Sequence, residues 1–387
     1  MNDSVIYLDY HATAPPDRRV VEAMAPFLGE GFGNPHAVSH AVGWAAKEAV
    51  EAARRKVAML ASADPDEIVF TSGATEANNL AILGLLASPE NAGPKHAGAY
   101  VITAATEHPS VLACMAALEE SGTAVTVLPV GADGLIDPDN LRRALQPETK
   151  LVSIMAANNE IGVLQPITEI GAICREAGAL FHCDAAQAFG KVAIDLAAVD
   201  LLSVTSHKLH GPMGVGALYV RRGVRLRPLI YGGRQERGLR SGTLPTPLCV
   251  GFGEACRIAA AERAAEAGRL ARLRDRLLDG LRRIAPDLRV NGSLQRRLPG
   301  NLNVALPGVD AEALLLELPG LALSTGSACA TGQSGPSHVL RAIGLPDELA
   351  HGSLRFGLGR FTSEAEIERA LAMIADALAR IGPAQAV

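Results

Sequence analysis

With 387 residues the chain is too long for one small core and long enough for two domains. Hydrophobic residues at 48% and charged residues at 20% fit an ordinary soluble protein. The net charge of −5, with Lys and Arg scattered rather than bunched, argues against nucleic acid or a membrane surface as partner, and no apolar run approaches the ~18 residues a spanning helix needs.

The N-terminus, "MNDSVIYLDY", carries acids where a signal peptide would have basic residues followed by an apolar stretch, so a cytoplasmic location is expected. From about residue 66 strands and helices alternate. "EIVFT" leads through "SGATEANN" into the helix "LAILGLLA", and "SPENAGPKHAG" follows as a surface loop. "AYVITAATEH" reads as a strand, "PSVLACMAALEESG" as a helix and "AVTVLPV" as a strand. "KLVSIMAANNEIG" and "ALFHCDAAQ" are apolar runs ending in polar residues, with the helix "ITEIGAICREAG" between them, and "DLLSVTSHK" repeats the plan. Continuous apolar strands separated by helices predict a parallel sheet covered on both faces. Ligands of such sheets gather at the carboxyl ends of the strands.

A second region begins near residue 257. "RLARLRDRLLDGLRRI" places Leu270, Leu273, Leu277, Leu281 and Ile284 on one helical face. Shorter units follow, then the helix "TSEAEIERALAMIADALARI". The expected architecture is α/β: a large, mainly parallel-sheet α/β/α domain over 16–256, and a smaller α+β domain from 1–15 and 257–387.

Strand ends carry the polar residues: Ser72 to Thr75, His108, Asn159, Asp184 with Gln187, then Thr205, His207 and Lys208. The helix start after "SGAT" offers free N–H groups suited to phosphate, although taken alone the stretch reads more readily as an ordinary strand-to-helix turn. Lys208 follows an apolar strand, where desolvation makes an amine nucleophilic; a surface loop lysine is the plain alternative. Lysine, carboxylate and phosphate cradle at neighbouring strand ends match the needs of pyridoxal phosphate, which takes a lysine as Schiff-base partner and an acid at its ring nitrogen. Of the six cysteines, Cys114, Cys174, Cys183, Cys249 and Cys256 sit among apolar neighbours as small core residues. Cys329 lies instead in "STGSACATGQSGPSH", a run of small residues with little to bury and therefore expected to move.

"SGATEANNLAI", "TEHPSVL", "SIMAANNEIG", "DAAQAFGK", "SHKLHGPMGVGALYVRRG", "ERGLRSGT", "STGSACATG" and "LRFGLGRFT", in this order, resemble the motifs of the NifS/IscS-like cysteine desulfurases. These belong to the class V aminotransferase group of fold-type I pyridoxal-phosphate enzymes, and the likeness runs from about Leu8 to about Thr362. The resemblance implies that Lys208 bonds the cofactor, Asp184 pairs with its pyridinium nitrogen, and His108 stacks on the ring and moves protons. Asn159 and Gln187 would contact the phenolic oxygen, with Asn159 also near substrate. Ala74, Thr75, Thr205 and His207 would hold the phosphate, with Thr243 reaching it from the neighbouring subunit of a homodimer. Arg355 would clamp the substrate carboxylate, and His210 would be structural. Cys329 would take sulfur from L-cysteine as a persulfide, leaving alanine, and pass it to an acceptor such as an iron–sulfur scaffold. No metal is implied beyond a transient iron–sulfur contact at Cys329. The ordinary alternatives are a helix cap for His108, an ion-pair partner for Arg355 and a turn residue for Asn159.

The chain departs from the family pattern in three places. Thr205 and Ser206 precede the His-Lys pair where a small residue and serine are common, Arg234 stands where a third glycine is common, and the chain ends soon after "ALARIGPAQAV" where some relatives have a longer scaffold-docking tail. Which acceptor or pathway receives the sulfur stays open. The rival readings are a selenocysteine lyase or an aminotransferase of the same group, a metal-dependent hydrolase using His182, Asp184, His207 and His210, and a non-enzymatic sulfur carrier built on Cys329.

Overall fold

The computed structural model describes residues 5–88, 99–325 and 335–381. Its centre is a seven-stranded sheet of β2 (Ile68–Thr71), β3 (Tyr100–Ala104), β4 (Ala124–Leu128), β5 (Thr149–Ser153), β6 (Leu180–Asp184), β7 (Leu201–Thr205) and β8 (Gly216–Val220), in the order β2-β8-β7-β6-β5-β3-β4. The pairings from β7 through to β4 are parallel, and β8 runs antiparallel to both β2 and β7. The strands read as unbroken apolar runs because successive residues enter different cores. Phe70, Ile102, Val152, Leu202 and Val204 point into one. Val69, Val101, Leu151 and Leu201 point into the other, against helix Ala74–Leu86 and helix Pro109–Glu120. Each fully buried side chain of this size contributes ~1.5–3 kcal/mol, so both faces are needed to hold the sheet.

A smaller antiparallel sheet joins Arg289–Val290, Asn301–Ala305, Ser324–Thr325 and Ser353–Gly357. The helix Thr246–Ile284 ties the two bodies together. Its Cys249, Phe252, Ala255 and Cys256 lie in the first core, whereas Leu270, Leu273, Leu277 and Leu281 lie in a separate one with Leu302, Val304, Phe356 and Ile374. The passage between cores thus falls inside one unbroken helix.

The N-terminal segment crosses from the small body to the large one. β1 (Ile6–Tyr7) pairs parallel with Leu321–Ala322, and Tyr10 N–H donates to the Gly357 carbonyl. A Cβ on Gly359 would come within 2.0 Å of the Tyr10 ring, so that segment can lie this close only over glycine. The crossing delivers His11, Ala12 and Thr13 to the carboxyl ends of the central strands. No helix among the described residues is long and apolar enough to cross a membrane.

Candidate active site

A cavity of about 460 Å³ opens at those carboxyl ends, as parallel-sheet topology predicts. Ala74, Thr75, His108, Asn159, Asp184, Gln187, Thr205, His207 and Lys208, far apart in sequence, all line it. Thr243 is exposed and Arg355 fully buried, and neither lines the cavity of its own chain. Cys329 lies outside the described residues.

The cradle is built by the turn between β2 and the helix Ala74–Leu86. Gly73 caps this helix at φ 155°, ψ −177°, a conformation that side-chain-bearing residues rarely adopt, and it brings no side-chain oxygen to the first N–H groups. Those donors, backed by the helix dipole, face the cavity. Behind them Glu76 accepts from the Ser72 N–H at 2.8 Å and pairs with Arg240 at 2.9 Å, which fixes the turn.

Lys208 sits in the single turn His207–Leu209 directly after β7, and its Nζ donates to the carbonyls of His11 and Ala12. His207 Nδ1 lies 3.0 Å from Thr13 Oγ1, and burial followed by the nearby Lys208 pushes its pKa down to about 4, so it is neutral at pH 7. Asp184 ends β6 and is buried, with Oδ2 accepting from Asn78 Nδ2 at 2.8 Å and Oδ1 from the Ala186 N–H at 2.9 Å. Gln187 is held by the N-terminal segment. Its Nε2 donates to the His11 carbonyl at 2.8 Å, and its Oε1 faces His11 Nδ1 at 3.1 Å and Lys191 Nζ at 3.3 Å. Burial, reinforced by Lys208, takes Lys191 down to about 7.

His108 combines two expectations. It caps the helix Pro109–Glu120, with Nδ1 accepting from the Ser110 N–H at 3.1 Å, while the ring borders the cavity. Burial lowers its pKa against the opposing pull of Asp184. Arg355 forms the ion pair of the ordinary reading, with Asp9 at 2.8 Å and a further donation to the Asn159 carbonyl at 3.2 Å. Its Nε is buried with no hydrogen-bond partner among the described residues, one donor short of satisfaction. His210 Nδ1 meets the Pro15 carbonyl at 3.0 Å, and its ring packs against Tyr10 and Phe361.

The hydrolase set does not converge. Both nitrogens of His182 are engaged, by Ser153 at 2.8 Å and Ser203 at 2.9 Å, and no group of three or more His, Cys, Asp or Glu side chains gathers as a metal site among the described residues. The five described cysteines are all buried, and burial pushes the thiols of Cys174 and Cys249 up to about 12.

His11, Thr13, Asn78 and Ser110 also belong to the site: His11, Thr13 and Ser110 line the cavity, and Asn78 bonds Asp184. The first two reach the cavity only through the crossing of the N-terminal segment, which no local pattern announces. Asn78 and Ser110 lie inside the quoted motifs, Asn78 one turn into its helix and Ser110 in the first turn of its own, and only that position points toward the strand ends.

The family described as aminotransferase class-V matches residues 6–370. A curated relative from Anaeromyxobacter sp. (strain Fw109-5), "Cysteine desulfurase IscS", is 53% identical over 380 residues, covering 97% of this chain and 93% of the relative. Among solved structures, a "NifS-like protein" superposes with a TM-score of 0.90 at 36% identity, covering 97% of this chain and all of that one. "SspA in complex with cysteine" gives 0.78 at 37% identity, covering 92% of this chain and 99% of the other.

Proposed function

Because the chain belongs to the class-V aminotransferase family, we propose that it is a pyridoxal-phosphate-dependent cysteine desulfurase, moving the sulfur of L-cysteine to a protein cysteine as a persulfide and releasing L-alanine. The observation that carries this reading is the meeting of three unlike groups in one cavity: the Lys208 amine, the Asp184 carboxylate and the uncapped start of helix Ala74–Leu86. They answer the aldehyde, ring nitrogen and phosphate of the cofactor, and about 460 Å³ lies within the usual range for a small-molecule site. When bound, the cofactor supplies an electron-accepting ring beside a carbon that reacts with amines.

The roles of the chain's own residues follow from their partners. Lys208 Nζ would hold the cofactor through its aldehyde and would serve as the base for the substrate's α-proton. Asp184, held by Asn78 and Ala186, would keep a proton on the ring nitrogen. The N–H groups of Ala74 and Thr75 would bind the phosphate together with Thr205 and His207, and Thr243 of a second copy would complete that set. Asn159 and Gln187 serve the phenolic oxygen. Arg355, which lies behind the cavity wall with an Nε–H that has no partner among the described residues, is the candidate for the substrate carboxylate once that wall admits it. The Cys329 thiolate attacks the substrate sulfur: an S–S bond forms, the C–S bond breaks, and carbon gains the hydrogen that makes alanine. Elevated thiol pKa values leave the buried cysteines poorly nucleophilic at neutral pH. The cysteine-bound solved relative supports the substrate, and an acceptor protein such as an iron–sulfur scaffold receives the persulfide.

Borohydride reduction followed by peptide mass mapping tests the reading. The expected result is a reduced cofactor adduct on Lys208; an adduct elsewhere, or none, removes the premise. Parallel rates with L-cysteine, L-selenocysteine and an amino-acid/keto-acid pair then separate desulfurase from lyase and aminotransferase.

A further inference from the structure

Resting on that reading, we propose that Asn78 and Ser110 are positioning residues that join Asp184 to His108 and fix His108 as a proton donor, from Nε2, toward the cavity. Both partners named above for Asp184, Asn78 and the Ala186 N–H, are donors, so the carboxylate accepts at each oxygen. The fully buried Asn78 places one nitrogen, Nδ2, 2.8 Å from Asp184 Oδ2 and 2.9 Å from Ser110 Oγ. Turning the amide over would set Oδ1 against the carboxylate, acceptor facing acceptor, so the carboxylate dictates that Asn78 gives both hydrogens. Its Oδ1 is left buried without a partner among the described residues, the mark of a residue kept for its donors rather than its fit.

The direction then passes outward. Ser110 Oγ receives one Asn78 hydrogen and keeps its own for His108 Nδ1, 2.8 Å away. The Ser110 N–H donates to the same Nδ1 at 3.1 Å. With two donors on it Nδ1 carries no proton, and a neutral ring must hold its hydrogen on Nε2. Burial keeps the ring neutral. In its resting form His108 therefore offers a proton from Nε2 and has no lone pair on that nitrogen to take one. Removal of the substrate's α-proton is left to Lys208, and His108 enters as acid.

Ring ¹⁵N shifts of histidine-labelled, full-length protein test this, with and without cofactor, the His108 signals being assigned by the His108→Gln variant. The expected signature near neutral pH is a bare Nδ1 and a protonated Nε2. Ser110→Ala, which leaves Nδ1 with the longer backbone donor alone, and Asn78→Ala, which frees the Ser110 hydroxyl to accept, each weaken the hold on Nδ1 and let a share of the second tautomer appear. Both lower kcat by roughly 10- to 100-fold, the range for partners that orient a site group, with KM little changed; Ser110→Thr restores the signature and the rate. A hydrogen on Nδ1 of the unaltered protein overturns the proposal, as does an unmoved signature in Ser110→Ala and Asn78→Ala. Should Asn78→Ala not fold, the unaltered protein and the Ser110 pair decide alone. The tautomer is read whatever the substrate, so failure to turn over cysteine would sink the functional reading and leave this one standing.

Discussion

Lys208 occupies a position where an amine is costly to bury, and it meets that cost by donating to two backbone carbonyls of the N-terminal segment. Those carbonyls come from a part of the chain nearly 200 positions away, so the lysine's surroundings belong to tertiary structure and not to the "SHK" motif. The same holds for Gln187, whose amide is oriented by His11. At Cys329 the argument is one of nucleophilicity. Serine in its place keeps the size but loses the polarisable thiolate that an attack on sulfur requires. Cys329→Ser is expected to bind cofactor and L-cysteine normally, seen as the usual spectral change on adding substrate, while sulfide release falls to background. Undiminished release from that variant removes Cys329 from the mechanism.

At the scale of elements, β2 is an edge strand of the central sheet, with outward N–H and C=O groups to be satisfied. A buried ion pair does this. Glu236 accepts from the Phe70 N–H at 2.6 Å and from Arg54 at 2.7 and 2.8 Å, while Arg54 and Arg237 donate to the Ile68 carbonyl. Arg54 also lies over the Phe70 ring, 4.7 Å from its centre. Glu236 and Arg237 adopt φ of 46° and 58°, left-handed backbone that L residues take only where the surroundings demand it. Because β2 leads straight into Gly73 and the cradle, this clasp fixes the start of the site. Glu236→Ala strands the Arg54 charge and the Phe70 donor and is expected to cost ~3–5 kcal/mol, measured as a lowered urea midpoint with an unchanged slope. A midpoint equal to that of the parent protein would show the clasp to be dispensable.

For the whole molecule, the surface holds an apolar segment that the described residues leave uncovered. Leu28, Phe32, Val38 and Trp44, from the end of helix Arg18–Leu28 to the start of helix Ala41–Ala61, are all exposed, Phe32 and Val38 by 70% and 75%. Met213 at the cavity lining is exposed as well, as is Thr243. Exposed apolar groups of this size suit burial against a second copy. The double variant Phe32→Glu, Trp44→Glu is expected to sediment as a monomer and to bind the cofactor more weakly, whereas the parent sediments as a dimer; a monomeric parent rejects the pairing. The sequence by itself determined the parallel sheet, since runs such as "KLVSIMAANNEIG" bury both faces and end in polar residues wherever they stand. It also determined the identity of the strand-end groups Asp184, His108 and Lys208, because each lies within a few residues of the strand that carries it. Only the tertiary structure decided that His11 and Thr13 join them, that Arg355 is matched by Asp9, and that Asn78 and Ser110 link Asp184 to His108. Those contacts close between segments remote in sequence, and their geometry is set by how the sheets and helices pack, which no local periodicity encodes.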